Sequence, residues 1–327
     1  MAYSRRSVLF GAVGTTLGAA PATAPAAGAA RRGAPPVVVT DQASKRILVL
    51  DARRSVWGAA DPLWAFSPLG DGGYADLRPD VSWVYPSEAK VRRHRGRTLL
   101  LTCASFGFAA AVEFPTGRRY WGAGLGPGDD LFNPHSMEIL PDGNVAVACS
   151  TGALVRLYAA SQGQREVPYA DAVLKGAHGL HRDRGRRVLW AIGDDELVTY
   201  EVGGTPARPA LTQTSAVRLP GARPGGHDLF PVAGRHGRLW VTTNAAVFQY
   251  DIGRGEFVQD FPGAGRISRT KVKAVGDDPR TGQVVSTVPE VGLEETWWTT
   301  RVDFHRPDET RVLTNGGIYK ARWWLPR

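Results

Sequence analysis

Short apolar runs separated by glycine- and aspartate-rich turns recur along the chain. Each copy has a turn, a polar or charged residue, a few apolar residues, a second turn and then a strongly apolar strand. The copies begin near Pro86, Asn133, Gly176, Gly225 and Lys271. A repeat of about 40 to 50 residues that contains several short strands is typical of the blades of a β-propeller.

The two ends of this pattern complement each other. The first apolar strands, at residues 37–41 and 46–51, have no inner strand before them, and residues 318–324 form one isolated strand at the other end. Five complete units and one shared unit predict an all-β fold, a six-bladed β-propeller closed by pairing of the N- and C-terminal strands. Such pairing leaves no open sheet edge. Two stacked β-sandwich domains are the alternative for this length.

The first thirty-odd residues differ from the rest of the chain. Arg5 and Arg6 directly precede an apolar, glycine- and alanine-rich run at residues 8–20, the order expected of a twin-arginine export signal. Small residues at 27–29 match an A-x-A cleavage point. We therefore predict a signal peptide over residues 1–30, one propeller domain over residues 36–327, and a secreted or cell-envelope protein. An uncleaved anchor is the alternative.

Composition and charge narrow the choice of partners. The 43% hydrophobic and 22% charged residues exclude a disordered chain, a coiled coil and a collagen-like repeat. Residues 1–33 carry four arginines and no acid, so removing them lowers the formal charge from +9 to +5. The remaining basic residues are dispersed among acids, so we expect no nucleic-acid partner.

The rest of the chain contains no apolar stretch near the roughly 18 residues that a spanning helix needs, so we expect no membrane span after signal cleavage. The two cysteines, Cys103 and Cys149, imply no disulfide framework. We expect a monomer.

A polar residue stands at the start of each predicted inner strand. Inner strands surround the axis of a propeller, so these side chains are predicted to face one axial funnel. Lysine is almost never fully buried unless it is paired, which argues against packing as the only role of the set. Hydrogen bonding to neighbouring blades or to ordered water is the alternative. The predicted ring contains His135, His178, His227, Lys273, Lys320 and either Glu88 or Lys90.

One kind of ligand for this funnel is a divalent metal. His135, His178 and His227 come from adjacent blades, and three neutral imidazoles can hold Zn²⁺ while leaving a position open for water or substrate. Glu138 and Asp228 are available to orient them. This hypothesis, with Zn, Mn or Ca as the ion, is the less favoured one. We expect no cofactor otherwise.

The favoured ligand is a small anion or an acidic saccharide. Lys273, Lys320 and Arg322 would repel a cation and attract a carboxylate, sulfate or phosphate, and Arg322 is capable of a bidentate contact. Glu88 and Lys90 complete the predicted ligand-binding set.

The residues leave open whether the protein is an enzyme. His135, His178 and His227 are the candidate catalytic residues of a lyase or hydrolase. A uronate lyase needs a neutralised carboxylate, a base for the C5 proton and an acid for the leaving oxygen. His178 or His135 would be the base, and Lys273 would neutralise the carboxylate. Serine-hydrolase, zinc-protease, P-loop and dinucleotide-binding motifs are absent from the sequence. A non-catalytic module of the cell envelope that binds glycan or protein is the alternative.

Other histidines and the tryptophans have more ordinary expected places. His94, His236 and His305 lie in charged or turn-rich surroundings and are predicted at the surface, whereas His181 is offset from the ring and is predicted to face the next blade. We expect tryptophans to pack between blades, with a sugar-stacking platform as the alternative for one of them. The tryptophans in question are Trp190, Trp240, Trp297 and Trp298.

Taken as a set, the repeated phrases resemble a known family. They lie at residues 86–90, 134–144, 177–179, 225–229, 297–298 and 318–323. The set is similar to a family of exported propellers labelled only as a domain of unknown function, number 6528. The resemblance covers nearly the whole mature chain and implies the fold and the export, but no reaction. More loosely, the His-Ser and His-Gly phrases look like those of other six-bladed propellers, including streptogramin-type lyases, arylsulfotransferases and amidated-peptide lyases.

Overall fold

The computed structural model describes residues 34–165 and 167–326. Its strands form six sheets, each with at least four strands paired antiparallel, and each sheet is one blade. The predicted signal peptide lies outside the described residues.

Blades 1 to 3 use the first half of the chain and the C-terminal strand. Blade 1 contains, from its inner strand outward, β25 (Ile318–Trp323), β1 (Val37–Asp41), β2 (Arg46–Leu50) and β4 (Trp64–Phe66). Blade 2 contains β5 (Pro86–His94), β6 (Arg97–Ala104), β7 (Phe108–Phe114) and β8 (Arg119–Gly124). Blade 3 contains β9 (Pro134–Ile139), β10 (Val145–Cys149), β11 (Leu154–Tyr158) and β12 (Tyr169–Val173).

Blades 4 to 6 follow in chain order. Blade 4 contains β13 (Gly179–Asp183), β14 (Val188–Ile192), β15 (Glu196–Thr205) and β16 (Arg208–Arg218). Blade 5 contains β17 (Gly226–Pro231), β18 (Arg238–Thr243), β19 (Val247–Asp251) and β20 (Glu256–Val258). Blade 6 contains β21 (Ala274–Asp277), β22 (Val284–Thr287), β23 (Arg301–His305) and β24 (Glu309–Leu313), and β3 (Val56–Trp57) pairs parallel to β24.

Helical structure in the described residues is confined to short turns between strands. The α-helical turns are α1 (Pro79–Ser82) and α2 (Ala264–Ile267), and the 3-10 turns are Gly72–Leu77 and Ala160–Gln162.

Two observations confirm the predicted closure. Strand β1 pairs with β2 on one side and with β25 on the other, so the two ends of the chain share blade 1. Each inner strand also contacts the inner strands of both neighbouring blades, from β25 through β5, β9, β13, β17 and β21 back to β25. A ring of this kind excludes two stacked sandwiches.

Apolar side chains between the blades hold the ring together. Six clusters of buried apolar residues lie within the described chain, one at each contact between neighbouring blades. Successive side chains of a strand point to opposite faces of its sheet, and a neighbouring blade covers each face. Apolar side chains on both faces are therefore buried. Trp190 and Trp240 belong to these clusters, as predicted. Cys103 and Cys149 are buried and free.

The surface prediction was correct for His236 and wrong for His94 and His305, which are buried. His94 ends β5 and packs edge-on against Tyr120, while the arginines on either side of it project to solvent. His305 ends β23, where its Nε2 lies 2.9 Å from the Oγ of Ser286. Charged sequence neighbours therefore misled the prediction, because adjacent residues of a strand face opposite ways.

Candidate functional site

Irregular pairing at the start of the inner strands positions the side chains at one end of the channel. In β9, Pro134 and Ser136 pair with consecutive residues of β10, which leaves His135 as an extra residue. In β17, His227 is extra in the same way. Strand β5 has a comparable irregularity, and so does the pairing of β25 with β1. A β-bulge re-aims the side chain of its extra residue, so two successive residues here face the channel.

The histidine mouth is the group formed at this end by His135, His178, His227, Lys273 and Tyr319. The ring centroids of His135 and His178 are 4.1 Å apart, and those of His178 and His227 are 5.5 Å apart. The ring of Tyr319 lies edge-on to His135 at 5.9 Å. All five residues line a cavity of about 290 Å³. That volume is near the lower end of the range for small-molecule sites, roughly 300 to 1,000 Å³.

Backbone carbonyls orient two of the three imidazoles. The Nδ1 of His135 lies 2.9 Å from the carbonyl oxygen of Asn133, and the Nδ1 of His178 lies 3.0 Å from that of Gly176. A carbonyl only accepts, so each Nδ1 carries the proton and donates it. In the neutral ring, Nε2 is then left with a lone pair available to a donor.

The third imidazole has a different arrangement. The Nε2 of His227 lies 2.8 Å from the Oδ1 of Asn244 and 3.3 Å from the Nζ of Lys273. Its Nδ1 is buried and has no hydrogen-bond partner among the described residues. An unpartnered buried nitrogen is costly, so His227 keeps an unsatisfied polar atom in the wall of the mouth.

Burial keeps the mouth uncharged except at its lysine. It lowers the pKa of His178 to about 4, and it holds the pKa values of His135 and His227 well below the usual value, with the neighbouring histidines and lysines adding to the effect. All three imidazoles are therefore neutral near pH 7. Burial and the charges of Lys320 and Lys271 lower the pKa of Lys273 to about 8, which leaves this side chain largely protonated.

Aromatic side chains form one wall of the cavity. Trp297 lies edge-on to Tyr85 at 5.6 Å, and Tyr85 lies edge-on to Phe106 at 5.9 Å. All three rings are half-buried and line the cavity. Gln42 holds the tryptophans, because its Oε1 accepts from the Nε1 of Trp297 at 2.9 Å and from that of Trp298 at 2.6 Å.

Below the mouth, a layer of charged side chains closes the channel. The guanidinium of Arg322 donates to Glu88 at 3.0 Å and to Asp228 at 2.7 Å. The Nζ of Lys320 lies 3.5 Å from Asp228, and the Nζ of Lys90 lies 3.1 Å from Glu88. These five residues, which we call the ion-pair layer, are each at most 2% exposed. The channel is thus blocked at this level.

The charges of the ion-pair layer stabilise one another. Burial alone would raise the pKa of Glu88, but Arg322, Lys90 and Lys320 hold it well below its usual value. Arg322 and Lys320 likewise lower the pKa of Asp228. Arg322 experiences the reverse, since the two carboxylates raise its pKa against the effect of burial. Both acids are therefore ionised and committed to partners within the protein.

A serine joins the layer to blades 3 and 4. The Oγ of Ser136 accepts from the Nζ of Lys90 at 2.6 Å and donates to Glu88 at 2.8 Å, and it also accepts from the backbone nitrogen of Leu180 at 3.1 Å. The Nζ of Lys90 in turn donates to the carbonyl oxygen of Leu180 at 2.7 Å. Every polar atom of this group has a partner, as a buried network requires.

The sequence profile of DUF6528, a family of unknown function, matches residues 33–326. The chain belongs to this family.

A solved structure has a fold similar to that of this chain. A protein of unknown function from Bacteroides caccae, known from a crystal structure at 1.35 Å resolution, is similar with a TM-score of 0.54 and 12% sequence identity. The match covers 89% of this chain and 98% of that one. At this identity the likeness shows the fold alone. No curated protein matches the sequence.

The structure divides the predicted ring between two levels. His135, His178, His227 and Lys273 share the mouth, whereas Lys320 belongs to the ion-pair layer one residue deeper. Glu88, Lys90 and Arg322 also lie in that layer, and so does Asp228. The two acids expected to orient the histidines contact arginines instead, Asp228 through Arg322 and Glu138 through a paired contact with Arg92 at 2.8 Å.

The predicted site residues did not include four residues at the mouth: Tyr319, Trp297, Gln42 and Asn244. Tyr319 occupies in blade 1 the place that His135 occupies in blade 3, and aligning the second residues of the two inner strands would have indicated it. Trp297 was expected between blades but lines the cavity. Gln42 and Asn244 carry no signal in the sequence, because each acts through hydrogen bonds to residues distant in the sequence.

Within the described residues, no three His, Cys, Asp or Glu side chains are arranged so that they could hold a metal ion. Over the same part of the chain, no helix has the length and apolar character needed to cross a membrane.

Proposed function

We propose that this protein is an exported propeller whose histidine mouth binds an anionic saccharide, such as a uronate-containing or sulfated sugar. The observation that carries the proposal is Lys273. Its ammonium group is half-buried beside three neutral imidazoles, and its pKa is influenced by burial and two lysines, with no carboxylate among the described residues opposing them. A buried cation without an anionic partner favours an anionic ligand.

The neutral imidazoles favour a sugar acid over a bare anion. The Nε2 atoms of His135 and His178 offer lone pairs, which repel an anion and accept from a hydroxyl group. A sugar acid carries both kinds of group, so its carboxylate would accept from Lys273 while its hydroxyls donate to the imidazoles. Trp297 and Tyr85 supply the apolar wall against which a sugar ring can pack.

Calorimetric titration with an oligomer of galacturonic acid tests this proposal. The carboxyl-reduced oligomer is the matched neutral ligand. We expect the acidic oligomer to bind and Lys273→Met to weaken its binding at least tenfold. Lys175→Met is the control, at an exposed lysine in the loop between β12 and β13. Equal binding of the acidic and neutral oligomers, or equal effects of the two substitutions, would overturn the proposal.

One further titration and a metal analysis separate the remaining ligands. A sulfated oligosaccharide in place of the uronate tests whether the anionic group is sulfate. Plasma mass spectrometry of the protein and of a variant with alanine at His135, His178 and His227 tests the metal hypothesis. About one equivalent of Zn, Mn or Ca, lost in the variant, would replace the anion proposal with a metal-assisted lyase or hydrolase.

The second candidate function is elimination on a bound uronate. It is favoured by the two imidazoles whose Nδ1 protons are held by carbonyls, since each leaves Nε2 free to take a proton. The imidazole would remove the C5 proton, the electron pair would form the C4–C5 double bond, and the C4–O bond would break. Tyr319, whose pKa is raised by burial, retains a proton that it can give to the leaving oxygen.

Turnover and binding distinguish this enzyme from a binding module. Ultraviolet absorbance of the unsaturated product reports elimination from the galacturonate oligomer. Loss of turnover in His178→Ala with binding retained would support the lyase. Binding by the native protein without any turnover would support a non-catalytic module of the cell envelope.

Export is a separate part of the proposal and rests on the twin arginine. Replacing Arg5 and Arg6 with lysine should retain the protein in the cytoplasm, as fractionation of the producing cells would measure. Unchanged export of this variant would contradict a twin-arginine route.

A further inference from the structure

A second cavity lies at the opposite end of the inner strands from the histidine mouth. Its volume is about 660 Å³. Two turns form much of its wall, residues 184–186 after β13 and residues 232–237 after β17. Since His178 precedes β13 and Arg184 follows it, the two cavities lie at the two ends of the same strand. We call this one the arginine pocket.

Basic side chains dominate the lining of the arginine pocket. Six arginines and only two carboxylates line it. The carboxylates are already engaged, Glu138 with Arg92 at 2.8 Å and Asp183 with Arg186 at 3.1 Å. Of the other lining arginines, Arg238 also has an acidic partner, Asp251, at 3.2 Å.

Three lining arginines have no carboxylate partner among the described residues. Arg184 and Arg235 are exposed at the tips of the two turns. Arg182 is half-buried, and its Nη1 donates to the carbonyl oxygen of Ile139 at 3.1 Å. Guanidinium groups without carboxylates, brought together from two blades, form a site for an oxyanion with several acceptor oxygens.

A histidine in the same wall also lacks a partner. His181 lines the pocket beside the Arg92–Glu138 pair. Its Nδ1 is shielded from solvent and has no hydrogen bond within the described chain. Polar groups are normally satisfied when they are buried, so this nitrogen is an unsatisfied polar atom in the wall of the pocket.

Apolar side chains complete the pocket and restrict the class of ligand. Ile139, Val232, Leu239 and Ile252 belong to its lining. We infer that the arginine pocket binds a small organic phosphate or sulfate, whose oxyanion contacts Arg182, Arg184 and Arg235 while its body packs on the apolar side. Inorganic ions lack the apolar body and should bind more weakly.

The arginine pocket functions separately from the histidine mouth. The ion-pair layer lies between them and is at most 2% exposed. The ring of Phe230 is next to this layer, 4.7 Å from the guanidinium of Arg322 and 5.9 Å from that of Arg92. Packing at this level leaves no open path along the axis, so a ligand at one end does not reach the other.

Titration calorimetry with three phenyl compounds tests the inference. Phenyl phosphate and phenyl sulfate carry the oxyanion, and phenyl β-glucoside is the uncharged control. We expect at least one of the anions to bind, with an affinity that falls as salt is added, and the glucoside not to bind. The anion that binds more tightly identifies the head group.

Two double variants locate the site. Arg184→Ala with Arg235→Ala should lower the affinity at least tenfold, and both positions are exposed, so folding is not at risk. Arg208→Ala with Arg218→Ala removes the same charge from exposed positions of β16 and should leave the affinity unchanged. Lys273→Met should also leave it unchanged, which separates this site from the histidine mouth.

The inference is overturned by any of three results. Absence of binding by both anions excludes the site. Equal losses in the two double variants would mean that general charge attracts the anion. A loss in Lys273→Met alone would place the phenyl anions in the histidine mouth.

Discussion

Arg322 is the residue on which the buried charges of the channel depend. It donates to both Glu88 and Asp228, and within the described residues the two acids have only Lys90 and Lys320 besides it as cationic neighbours. A buried ion pair gives little net stability compared with apolar packing, but removing one partner is costly because the other is left uncompensated. The layer therefore makes the fold sensitive to single substitutions.

Replacing Arg322 with leucine should lower the free energy of unfolding by about 3–5 kcal/mol. The substitution retains the bulk of the side chain and leaves two carboxylates with weakened compensation. Urea unfolding followed by tryptophan fluorescence measures the change. Arg208→Ala at an exposed position is the control and should stay within about 0.5 kcal/mol. A similar small change in Arg322→Leu would mean that the lysines alone neutralise both acids.

The buried imidazoles predict a loss of stability in acid. Burial lowers the pKa of His178 to about 4, below the usual value of about 6.5, so the unfolded chain takes up this proton first. The stability that the neutral His178 imidazole gives the folded chain is present in full above pH 6.5 and is lost as the pH falls towards 4. In His178→Gln, the dependence of unfolding free energy on pH should be shallower by up to about 1.4 kcal/mol per pH unit.

Chemical unfolding at a series of pH values between 7 and 4 checks this difference. His236→Gln, at an exposed position, is the matched control and should follow the native curve. Parallel curves for the native protein and His178→Gln would show that this imidazole takes up its proton equally in the folded and unfolded chains.

The inner strands show which features of the fold can be predicted from the sequence and which cannot. Repeats of apolar runs and turns predicted six blades and their closure, because packing between blades requires an apolar strand pattern in each one. The same reading assigned Lys320 to the mouth, where Tyr319 lies. The difference is a bulge, which shifts the face of a strand by one residue and depends on pairing with a strand distant in sequence.

Pairing over long sequence distances also explains what was missed in the ion-pair layer. Arg322 lies 94 positions from Asp228 and 234 from Glu88. Glu88 and Arg322 were candidates for binding a ligand and Asp228 for orienting the histidines, but a pattern along the chain contains no information about which carboxylate meets which guanidinium. Predicting the four-residue contact of Lys90, Ser136, Leu180 and Glu88 would need the positions of three blades at once.

Close approach of β17, the inner strand of blade 5, to the end of β14 in blade 4 makes Gly226 sensitive to substitution. A Cβ there would lie 2.4 Å from the carbonyl oxygen of Gly193 and 2.5 Å from the Cγ1 of Ile192. Gly226→Ala should therefore separate blades 4 and 5 and lower the free energy of unfolding by about 1–3 kcal/mol. Because His227 is the next residue, binding at the histidine mouth should weaken as well.

Gly203→Ala in β15 is the matched control for this prediction. Nothing lies within 4 Å of a Cβ at Gly203, so that substitution should change stability by no more than about 0.5 kcal/mol. Urea unfolding compares the two variants directly. Equal stability of Gly226→Ala and Gly203→Ala would mean that blade 4 shifts to accommodate the methyl group at no cost.

At the scale of the whole molecule, closure and the ion-pair layer depend on the same strand. Strand β25 completes blade 1 and contributes both Lys320 and Arg322. The last strand of the chain therefore closes the ring of blades and also supplies two of the three cations that compensate the buried acids. Its apolar residues Ile318, Ala321 and Trp323 pack between blades 6 and 1.

Deleting residues 318–327 should abolish cooperative folding. The truncated chain would expose the inner edge of β1 and leave Glu88 and Asp228 with Lys90 as their only cation from the layer. Differential scanning calorimetry should show no cooperative transition, whereas a chain lacking only residues 326–327 should melt like the native protein. Adding a peptide of residues 316–327 should restore the transition, because it provides the missing strand and both cations. A native-like transition in the longer deletion would show that the other five blades and β1 hold the ring without β25.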